Sequence, residues 1–375
     1  MTDTSTRLEP ASTTWPDPPQ LVDVLLRDEL ETARRRAEAF GPEYALIWSE
    51  IDRSVRGGKR FRSSIVLRTH DALGGRCLEA AVLVAAGFEL LHTAFLIHDD
   101  LIDRDTVRRG APNLAATLRN VSLALGADED RARRWSDASA VLAGDLALSR
   151  AHRLIASVDI PGRQRMQLLD LLDETLLVSA GGELADTAFG LGLHLPTLDE
   201  AILVCESKTA MYSFRAPLRA GAVLAGAGDD VLVELDDIGR LLGRAFQLVD
   251  DLLGVFAPEE KIGKSNVSDL REGKHTALIL HARTLPVWDE LESNLGREDL
   301  DQVTAARMRW ALAHSAAPVR VEEQVREDLD DVIARLTRRP LPPEMAAVVE
   351  ALVSQVRDAL DDVVGHVEEA RCQAG

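Results

Sequence analysis

The chain has 375 residues, of which 46% are hydrophobic, 28% charged and 4% aromatic, a composition that excludes a disordered or membrane-embedded protein. Its 43 basic and 62 acidic residues give a formal net charge of −19, which opposes attraction to nucleic acid and anionic lipid, so we expect no nucleic-acid partner. Cys77, Cys205 and Cys372 form neither a CxxC pair nor an even disulfide set, and no charged-then-apolar leader opens the sequence. We therefore expect a cytoplasmic location.

The predicted elements are almost all helices. Residues 1–20 contain four prolines among Ser and Thr and are predicted to be a disordered arm, followed by a single helical domain over residues 21–375. Each proline is expected to mark a helix boundary, and none occurs between Pro42 and Pro112, between Pro112 and Pro161, or between Pro217 and Pro258. These gaps are rich in Ala, Leu, Arg and Glu, which favour long helices. After the RRPLPP segment at 338–343, a last amphipathic helix is predicted from about 344 to 370.

The longest apolar stretch, from Ala80 to Ile97, has the length of a membrane span. It contains Glu89 and His92 and runs directly into acidic residues. A buried core helix is therefore the better prediction, and we expect no transmembrane segment.

That apolar helix ends in an acidic motif that occurs twice. Residues 95–103 (FLIHDDLID) and 246–254 (FQLVDDLLG) share four of nine positions, which suggests two acidic sites that face each other. On a helix, Asp99 and Asp103 share one face while Asp100 projects aside. Carboxylates clustered in this way suit Mg²⁺ bridged to phosphates. A solvated acidic helix end is the alternative.

Cationic residues beside glycines follow both acidic motifs. Arg108 and Arg109 precede Gly110, the segment GGKRFR occupies 57–62, and lysines stand beside glycines at 263–264 and 273–274. Such residues suit phosphate oxygens and close approach of the backbone to an anion, although ordinary loop lysines would explain part of the pattern. Together the residues suggest a helical cavity that binds diphosphates through Mg²⁺.

With these residues in hand, the chain closely resembles the trans-prenyltransferases, also called polyprenyl synthetases or isoprenyl diphosphate synthases. The motifs that carry the resemblance follow the family's order over roughly residues 40–290: GGKRFR at 57–62, ELLHTAFLIHDDLID at 89–103, RRGAP at 108–112, AGD at 143–145, KT at 208–209, FQLVDD at 246–251 and GK at 263–264. The resemblance implies an all-α, isoprenoid synthase-type helical bundle around a deep central cavity, usually a homodimer. It also implies condensation of isopentenyl diphosphate with an allylic diphosphate: dimethylallyl, geranyl or farnesyl diphosphate.

The resemblance also implies roles for individual residues. Metal binding, to about three Mg²⁺ ions, falls to Asp99, Asp103 and Asp250. The allylic diphosphate would be held by Arg108, Lys208, Thr209, Gln247 and Lys264, of which the last four are also assigned to catalysis. Isopentenyl diphosphate would be held by Lys59, Arg62, His92 and Arg109. A structural role is the alternative for His92, since a helical histidine is more often structural than catalytic.

Product length in this family depends on side chains one to two turns before the first aspartate. The candidates for the cavity floor are Leu91, Ala94 and Phe95, because one helical turn and one isoprene unit are each about 5 Å long. Phe95 favours a short product, and we predict geranylgeranyl diphosphate, with farnesyl diphosphate or a longer product as alternatives. Phe95→Ala should lengthen the product and Ala94→Phe should shorten it.

Three positions depart from the family pattern. Gly254 stands where the family commonly has a third aspartate in the second motif, so that carboxylate is either absent or supplied by another group. Ser63 replaces a usual proline, and Glu183 stands where glutamine is common. A class I terpene cyclase would carry an (N/D)DxxSxxxE-type motif, which we do not find, and a non-catalytic partner subunit would usually lose its aspartates. Both remain as alternative functions.

Overall fold

Segments rich in alanine and leucine form helices in the computed structural model, which describes residues 18–258, 267–297, 299–339 and 341–372. Within these ranges the β-structure is one antiparallel hairpin of two-residue strands, β1 (Val107–Arg108) and β2 (Ala111–Pro112). The predicted all-α fold class is therefore confirmed.

The helices are numbered here in chain order. They are α1 Pro18–Ala37, α2 Pro42–Val55, α3 Phe61–Ala72, α4 Leu78–Ile102, α5 Leu114–Ala124, α6 Glu129–Ala156, α7 Gly162–Gly190, α8 Leu198–Val204, α9 Ala216–Ala225, α10 Asp229–Phe256, α11 Ser268–Glu272, α12 Ala277–Ala282, α13 Trp288–Leu291, α14 Gln302–His314, α15 Ala317–Arg338 and α16 Pro343–Cys372. A 3₁₀ turn covers Glu38–Phe40, and a π-helix, Cys205–Arg215, joins α8 to α9 without a break.

Helix boundaries follow the prolines with one instructive exception. The last helix, α16, extends the predicted segment by one residue at its start and two at its end. Helix α1 begins at Pro18, inside the predicted arm, and residues 1–17 lie outside the described residues. Pro217 does not mark a boundary, because it lies in the continuous helical run from α8 to α9. The N–H of Ala216 donates to the carbonyl of Met211, five residues back, and this wider turn accommodates the proline ring that would clash in an ordinary α-helix.

Helix α4 is the central core helix of the N-terminal half. Among the described residues it is the one helix long and apolar enough to cross a membrane, and 78% of that apolar window is buried inside the fold. It packs mainly against α6, with α3 on another side. Leu90 and Leu91 are fully buried, and each such side chain contributes about 1.5–3 kcal/mol of transfer free energy. This packing agrees with the predicted core helix.

A second core surrounds α10. This helix packs against α15, α16 and the π-helix. The π-helix in turn packs against α7. Both acidic motifs therefore lie near the C-terminal ends of long helices, one on α4 and one on α10, with α7 and the π-helix completing the walls of a cavity between them.

Candidate active site

The cavity has a volume of about 730 Å³, within the range of small-molecule binding sites. Its walls contain ten of the residues predicted from the sequence: Arg62, His92, Phe95, Asp99, Arg108, Arg109, Lys208, Thr209, Gln247 and Asp250. The structure thus brings together residues that are up to 188 positions apart in the sequence.

Four predicted residues are placed elsewhere, and a fifth lies outside the described residues. Lys59 is exposed and does not contribute to the described wall, and Lys264 lies outside the described residues. Asp103 is just behind the wall, where its Oδ2 accepts a hydrogen bond from the ammonium of Lys274 at 3.1 Å. Leu91 and Ala94 are fully buried in the hydrophobic core and do not line the cavity. Of the three predicted floor residues only Phe95 is part of the described wall, and the assignment of the other two to the floor stays a prediction.

The acidic end of α4 separates its carboxylates as its helical spacing predicts. Asp99 lines the cavity, whereas Asp100 is 6% exposed and accepts a hydrogen bond from Arg108 Nε at 2.8 Å. Arg108 also donates to Asp99 at 3.2 Å. Burial alone would raise the pKa of Asp99, but the positive charges of Lys208, Lys274 and Arg108 lower it. Asp99 is therefore held as a carboxylate in the cavity wall.

A tight hairpin presents Arg108 and Arg109. Arg109 and Gly110 form its two-residue turn, with φ of +54° and +73°, the combination expected of a type I′ turn. Glycine adopts this conformation freely, whereas arginine is strained in it. Arg109 Nη1 donates to the carbonyl of Arg56 at 2.8 Å, which ties the hairpin to the loop that carries GGKRFR.

Glu89 anchors that loop from inside the core. The backbone N–H of Ser63 donates to Glu89 Oε1 at 3.1 Å, and Arg60 Nη1 lies 3.3 Å from Glu89 Oε2. Arg60 has a φ of +51°. The loop fixes the start of α3, where Arg62 donates to Ser213 Oγ at 2.7 Å and lies 4.6 Å above the ring of Tyr212.

Two buried nitrogen atoms lie at this end of the cavity. Arg62 Nε and His92 Nδ1 have no hydrogen-bond partner among the described residues. The pKa of His92 is held well below its ordinary value, first by burial and then by the positive charges of Arg62, Arg109 and Arg108. A neutral imidazole among three guanidinium groups, with the N–H donor at Arg62 Nε left over, describes a site for an anion.

The π-helix places Lys208 among three carboxylates. Its Nζ lies 2.7 Å from Asp186 Oδ2, 3.0 Å from Glu183 Oε2 and 3.3 Å from Asp99 Oδ1. Burial alone would lower the pKa of Lys208, but the negative charges of Asp186, Asp99 and Glu183 outweigh it and raise the pKa well above its ordinary value. The pKa of Glu183 is raised to about 7, chiefly by burial. Lysine and carboxylates are therefore closely paired in this wall.

Two glycines allow the wide π-helix to approach its neighbours. A Cβ built on Gly182 of α7 would lie 2.5 Å from the backbone nitrogen of Lys208. A Cβ built on Gly243 of α10 would lie 2.3 Å from the Cβ of Ala210. Because π-helices are rare and concentrate at functional sites, this close packing marks the segment with Lys208 and Thr209 as part of the site.

The second acidic motif faces the first across the cavity. Asp250 lines the cavity, and Gln247 Nε2 donates to Asp251 Oδ1 at 2.8 Å. The pKa of Asp251 is raised to about 8 by burial and by the negative charges of Asp250, Asp269 and Asp186. So many carboxylates in one buried region attract cations.

Sequence reasoning left several wall residues unassigned. Tyr212, Glu183, Asp186, Lys274 and Asp269 all lie at this cavity or immediately behind it. Tyr212 was detectable, because it follows Lys208 by four residues and so shares its side of a helix. Lys274 belongs to a motif noticed only for its charge, since nothing local showed that it would reach Asp103.

The oxygen donors fit Mg²⁺ that is shared with phosphates. In the described part of the chain no three His, Cys, Asp or Glu side chains converge to hold a metal by themselves. Mg²⁺ is usually bound by one or two carboxylates together with waters and substrate phosphates. Asp99 of α4 and Asp250 of α10 line the same cavity together with arginines and lysines, which matches that mode of binding.

Comparisons with known proteins agree with this geometry. A family model described as "Polyprenyl synthetase" matches residues 46–309. A geranylgeranyl diphosphate synthase of Methanosarcina mazei is 34% identical over 226 residues, which cover 60% of this chain and 64% of that protein, a little under two thirds of its length. A (2E,6E)-farnesyl diphosphate synthase of Mycobacterium tuberculosis is 33% identical over 346 residues, covering 87% of this chain and 89% of that protein.

A solved structure is also similar over almost the whole chain. The geranylgeranyl pyrophosphate synthase of Corynebacterium glutamicum, crystallised with isoprenyl diphosphate and magnesium, superposes with a TM-score of 0.84 at 25% sequence identity. The match covers 91% of this chain and 98% of that one.

Proposed function

This chain belongs to the polyprenyl synthetase family and is a prenyltransferase, and we propose that it extends an allylic diphosphate with isopentenyl diphosphate. One observation carries the proposal: a single cavity has an arginine-rich end with unpartnered donors and, beside it, two opposed acidic motifs. Two diphosphates can thus be held by different means, one by direct cationic contacts and one through metal. The aromatic and aliphatic groups Phe95, Leu96 and Phe246 line the same cavity and offer an apolar surface for a prenyl chain.

At the arginine-rich end, Arg62, His92 and Arg109 would hold isopentenyl diphosphate. The unpartnered Arg62 Nε supplies a donor and His92 Nδ1 a further polar atom, and the hairpin that carries Arg109 is tied to the neighbouring loop. The contact between Arg62 and the Tyr212 ring fixes the guanidinium. These contacts would orient the terminal double bond of isopentenyl diphosphate towards the allylic carbon.

At the acidic end, Asp99, Asp103 and Asp250 would hold Mg²⁺, three ions in all, together with the allylic diphosphate. Bound Mg²⁺ would supply positive charge that stabilises diphosphate as it leaves. Arg108 and Lys208 add positive charge at the same end, and Thr209 and Gln247 add hydrogen-bonding groups. Lys264 is assigned to this end by the family resemblance alone.

The reaction balances without a dedicated protein base. The carbon–oxygen bond of the allylic diphosphate breaks, and the double bond of isopentenyl diphosphate attacks the resulting allylic cation to form a carbon–carbon bond. A proton then leaves to the departing diphosphate. The cavity's role is to orient both substrates and to exclude water from the cation.

We propose geranylgeranyl diphosphate as the main product. Phe95 lies one helical turn before Asp99 and lines the cavity, and its ring meets that of Tyr212 edge-to-face, with centroids 4.9 Å apart. This aromatic pair would limit how far a growing chain can extend. Two of the similar proteins are named for the geranylgeranyl product and one for farnesyl diphosphate, so farnesyl diphosphate is the nearest alternative.

We further propose that the enzyme is a soluble, cytoplasmic homodimer. Leu177 and Leu184 of α7 are 74% and 72% exposed, and Leu142 of α6 is 52% exposed. Leu184 also lines the cavity, so a second copy packed on α6 and α7 would cover apolar surface and close that wall. Sedimentation equilibrium should therefore give twice the chain mass of 40.9 kDa.

The direct test is a product assay. Purified protein is incubated with Mg²⁺, isopentenyl diphosphate and, separately, dimethylallyl, geranyl and farnesyl diphosphates, and the products are identified by mass spectrometry. We expect a longer prenyl diphosphate, ending at twenty carbons. Asp250→Asn should abolish it, whereas Asp230→Asn, the same change at the exposed start of α10, should not. A hydrocarbon or terpene alcohol would indicate a cyclase, and no turnover with any starter would indicate a partner subunit.

A further inference from the structure

Gly254 occupies a position that faces the metal-binding end of the cavity. It follows Asp250 by four residues on α10, so both lie on the same face of the helix. Gly254 lines the cavity together with Asp250. A side chain at this position would point towards the same space as the carboxylate of Asp250, yet the sequence supplies none.

The carboxylate of Asp269 fills that space. A Cβ built on Gly254 would lie 2.1 Å from Asp269 Oδ2 and 3.2 Å from its Cγ. Real Cβ atoms essentially never approach another heavy atom within 3.0 Å. A side chain at 254 and the observed Asp269 carboxylate are therefore mutually exclusive.

Asp269 is held in this position by the short helix α11 and the turn after it. Its backbone carbonyl accepts hydrogen bonds from the N–H groups of Gly273 and of Lys274, the latter at 3.1 Å. Gly273 has a φ of +70°, which glycine adopts without strain. The same turn brings the ammonium of Lys274 to 3.9 Å from Asp269 Oδ1 and 3.1 Å from Asp103 Oδ2. Asp269 thus belongs to a charged network that reaches both acidic motifs.

We propose that Asp269 supplies to the second acidic motif the carboxylate that position 254 lacks, and that Gly254 is required because any side chain there would displace it. Asp250 and Asp269 together would present oxygens to the Mg²⁺–diphosphate unit. The oxygen comes from the short helix α11, beside Gly254, instead of from the next turn of α10. The inference rests on the proposed function, because that function places Mg²⁺ and diphosphate at this end.

The test moves the carboxylate and measures metal binding without turnover. Binding of Mn²⁺ in the presence of inorganic diphosphate is measured by electron paramagnetic resonance for the wild type, Asp269→Asn, Gly254→Asp and the double variant Gly254→Asp/Asp269→Gly. We expect Asp269→Asn to weaken Mn²⁺ binding by at least about tenfold. Gly254→Asp alone should also weaken it, because two carboxylates compete for one space. The double variant, which relocates the carboxylate to α10, should recover most of the wild-type affinity.

The matched control is Glu272→Gln on the same short helix. Glu272 lies 3.0 Å from the ammonium of Lys274, but no atom of it is among the nearest neighbours of a Cβ on Gly254. If Glu272→Gln weakens Mn²⁺ binding as much as Asp269→Asn, the effect is one of overall charge and the proposal is overturned. A double variant that binds no better than Asp269→Asn also overturns it.

Thermal unfolding of each variant shows whether it is folded before its Mn²⁺ binding is compared with that of the wild type. Asp269→Asn preserves the shape of the side chain, and the double variant removes the clash that would unfold Gly254→Asp, so both remain informative if that single variant fails to fold. Wild type that binds Mn²⁺ through Asp269 but forms no prenyl product would refute the proposed function and leave this inference intact. If the wild type forms product but Asp269→Asn leaves Mn²⁺ binding unchanged, the proposed function stands and this inference is refuted.

Discussion

The close approach between α7 and the π-helix gives a sharp prediction for Gly182→Ala. The new Cβ would lie 2.5 Å from the backbone nitrogen of Lys208 and 2.9 Å from its Cα. To restore an ordinary contact of 3.4 Å, the π-helix must move by about 0.9 Å, and a misplacement of about 1 Å at a catalytic group costs on the order of 100-fold in rate. Overpacking of this kind also lowers the free energy of unfolding by about 1–3 kcal/mol.

The neighbouring glycine provides the control. Gly181 is exposed, and a Cβ built on it meets no atom of the described residues within 4 Å. Gly181→Ala should therefore leave activity unchanged and stabilise α7 by about 0.5–1 kcal/mol, since alanine favours a helix more than glycine does. Steady-state kinetics with isopentenyl and farnesyl diphosphates, together with thermal unfolding, compare the two variants. If Gly182→Ala retains the kcat/KM of Gly181→Ala, the position of Lys208 does not depend on this contact and the reasoning is refuted.

Three further predictions concern other walls of the cavity. The pKa of Glu183 is raised to about 7 from an ordinary 4.5, so the free energy of unfolding of the wild type falls by up to about 3 kcal/mol as pH rises from 4.5 to 7. Glu183→Gln should therefore raise Tm more at pH 8 than at pH 5. An equal gain in Tm at both pH values would contradict this. Phe95→Ala should lengthen the product measured by mass spectrometry. Ala94→Phe should chiefly lower Tm, because Ala94 is fully buried in the core. If Phe95→Ala leaves the product unchanged, Phe95 does not limit the length of the prenyl chain. Arg62→Met should raise the KM for isopentenyl diphosphate at least tenfold, as loss of about 1.4 kcal/mol of binding free energy does, with little change in the KM for the allylic substrate; equal changes in both would argue against separate diphosphate sites.

The fold was largely predictable because helix formation is a local property. Long intervals without proline, filled with good helix formers, predicted α4, α10 and α16. The same local pattern failed at Pro217, where a proline lies within a continuous helical run. That failure arises because the π-helix before Pro217 widens the preceding turn, and its tight packing against Gly182 and Gly243 is absent from any local pattern.

The site was predictable where chemistry follows from spacing within one helix. The spacing of Asp99 and Asp103, and the repeat of their motif before Gly254, indicated two acidic sites from the sequence alone. The floor of the cavity was less predictable, since Leu91, Ala94 and Phe95 lie within five residues yet only Phe95 lines the described wall. Which of three adjacent helical positions faces a cavity depends on how the helix is rotated against its neighbours.

The sequence by itself determined the helical class, the paired acidic motifs and the cationic residues that suit two diphosphates, because these depend on residue type and on spacing along one helix. Only the tertiary structure decided which charges meet. Lys208 reaches Asp186 and Asp99 from another helix, and Asp269 takes the space beside Gly254. Contacts between elements depend on the rotation and the distance at which helices pack. The role of a glycine such as Gly254 therefore depends on which group from another element occupies the space beside it.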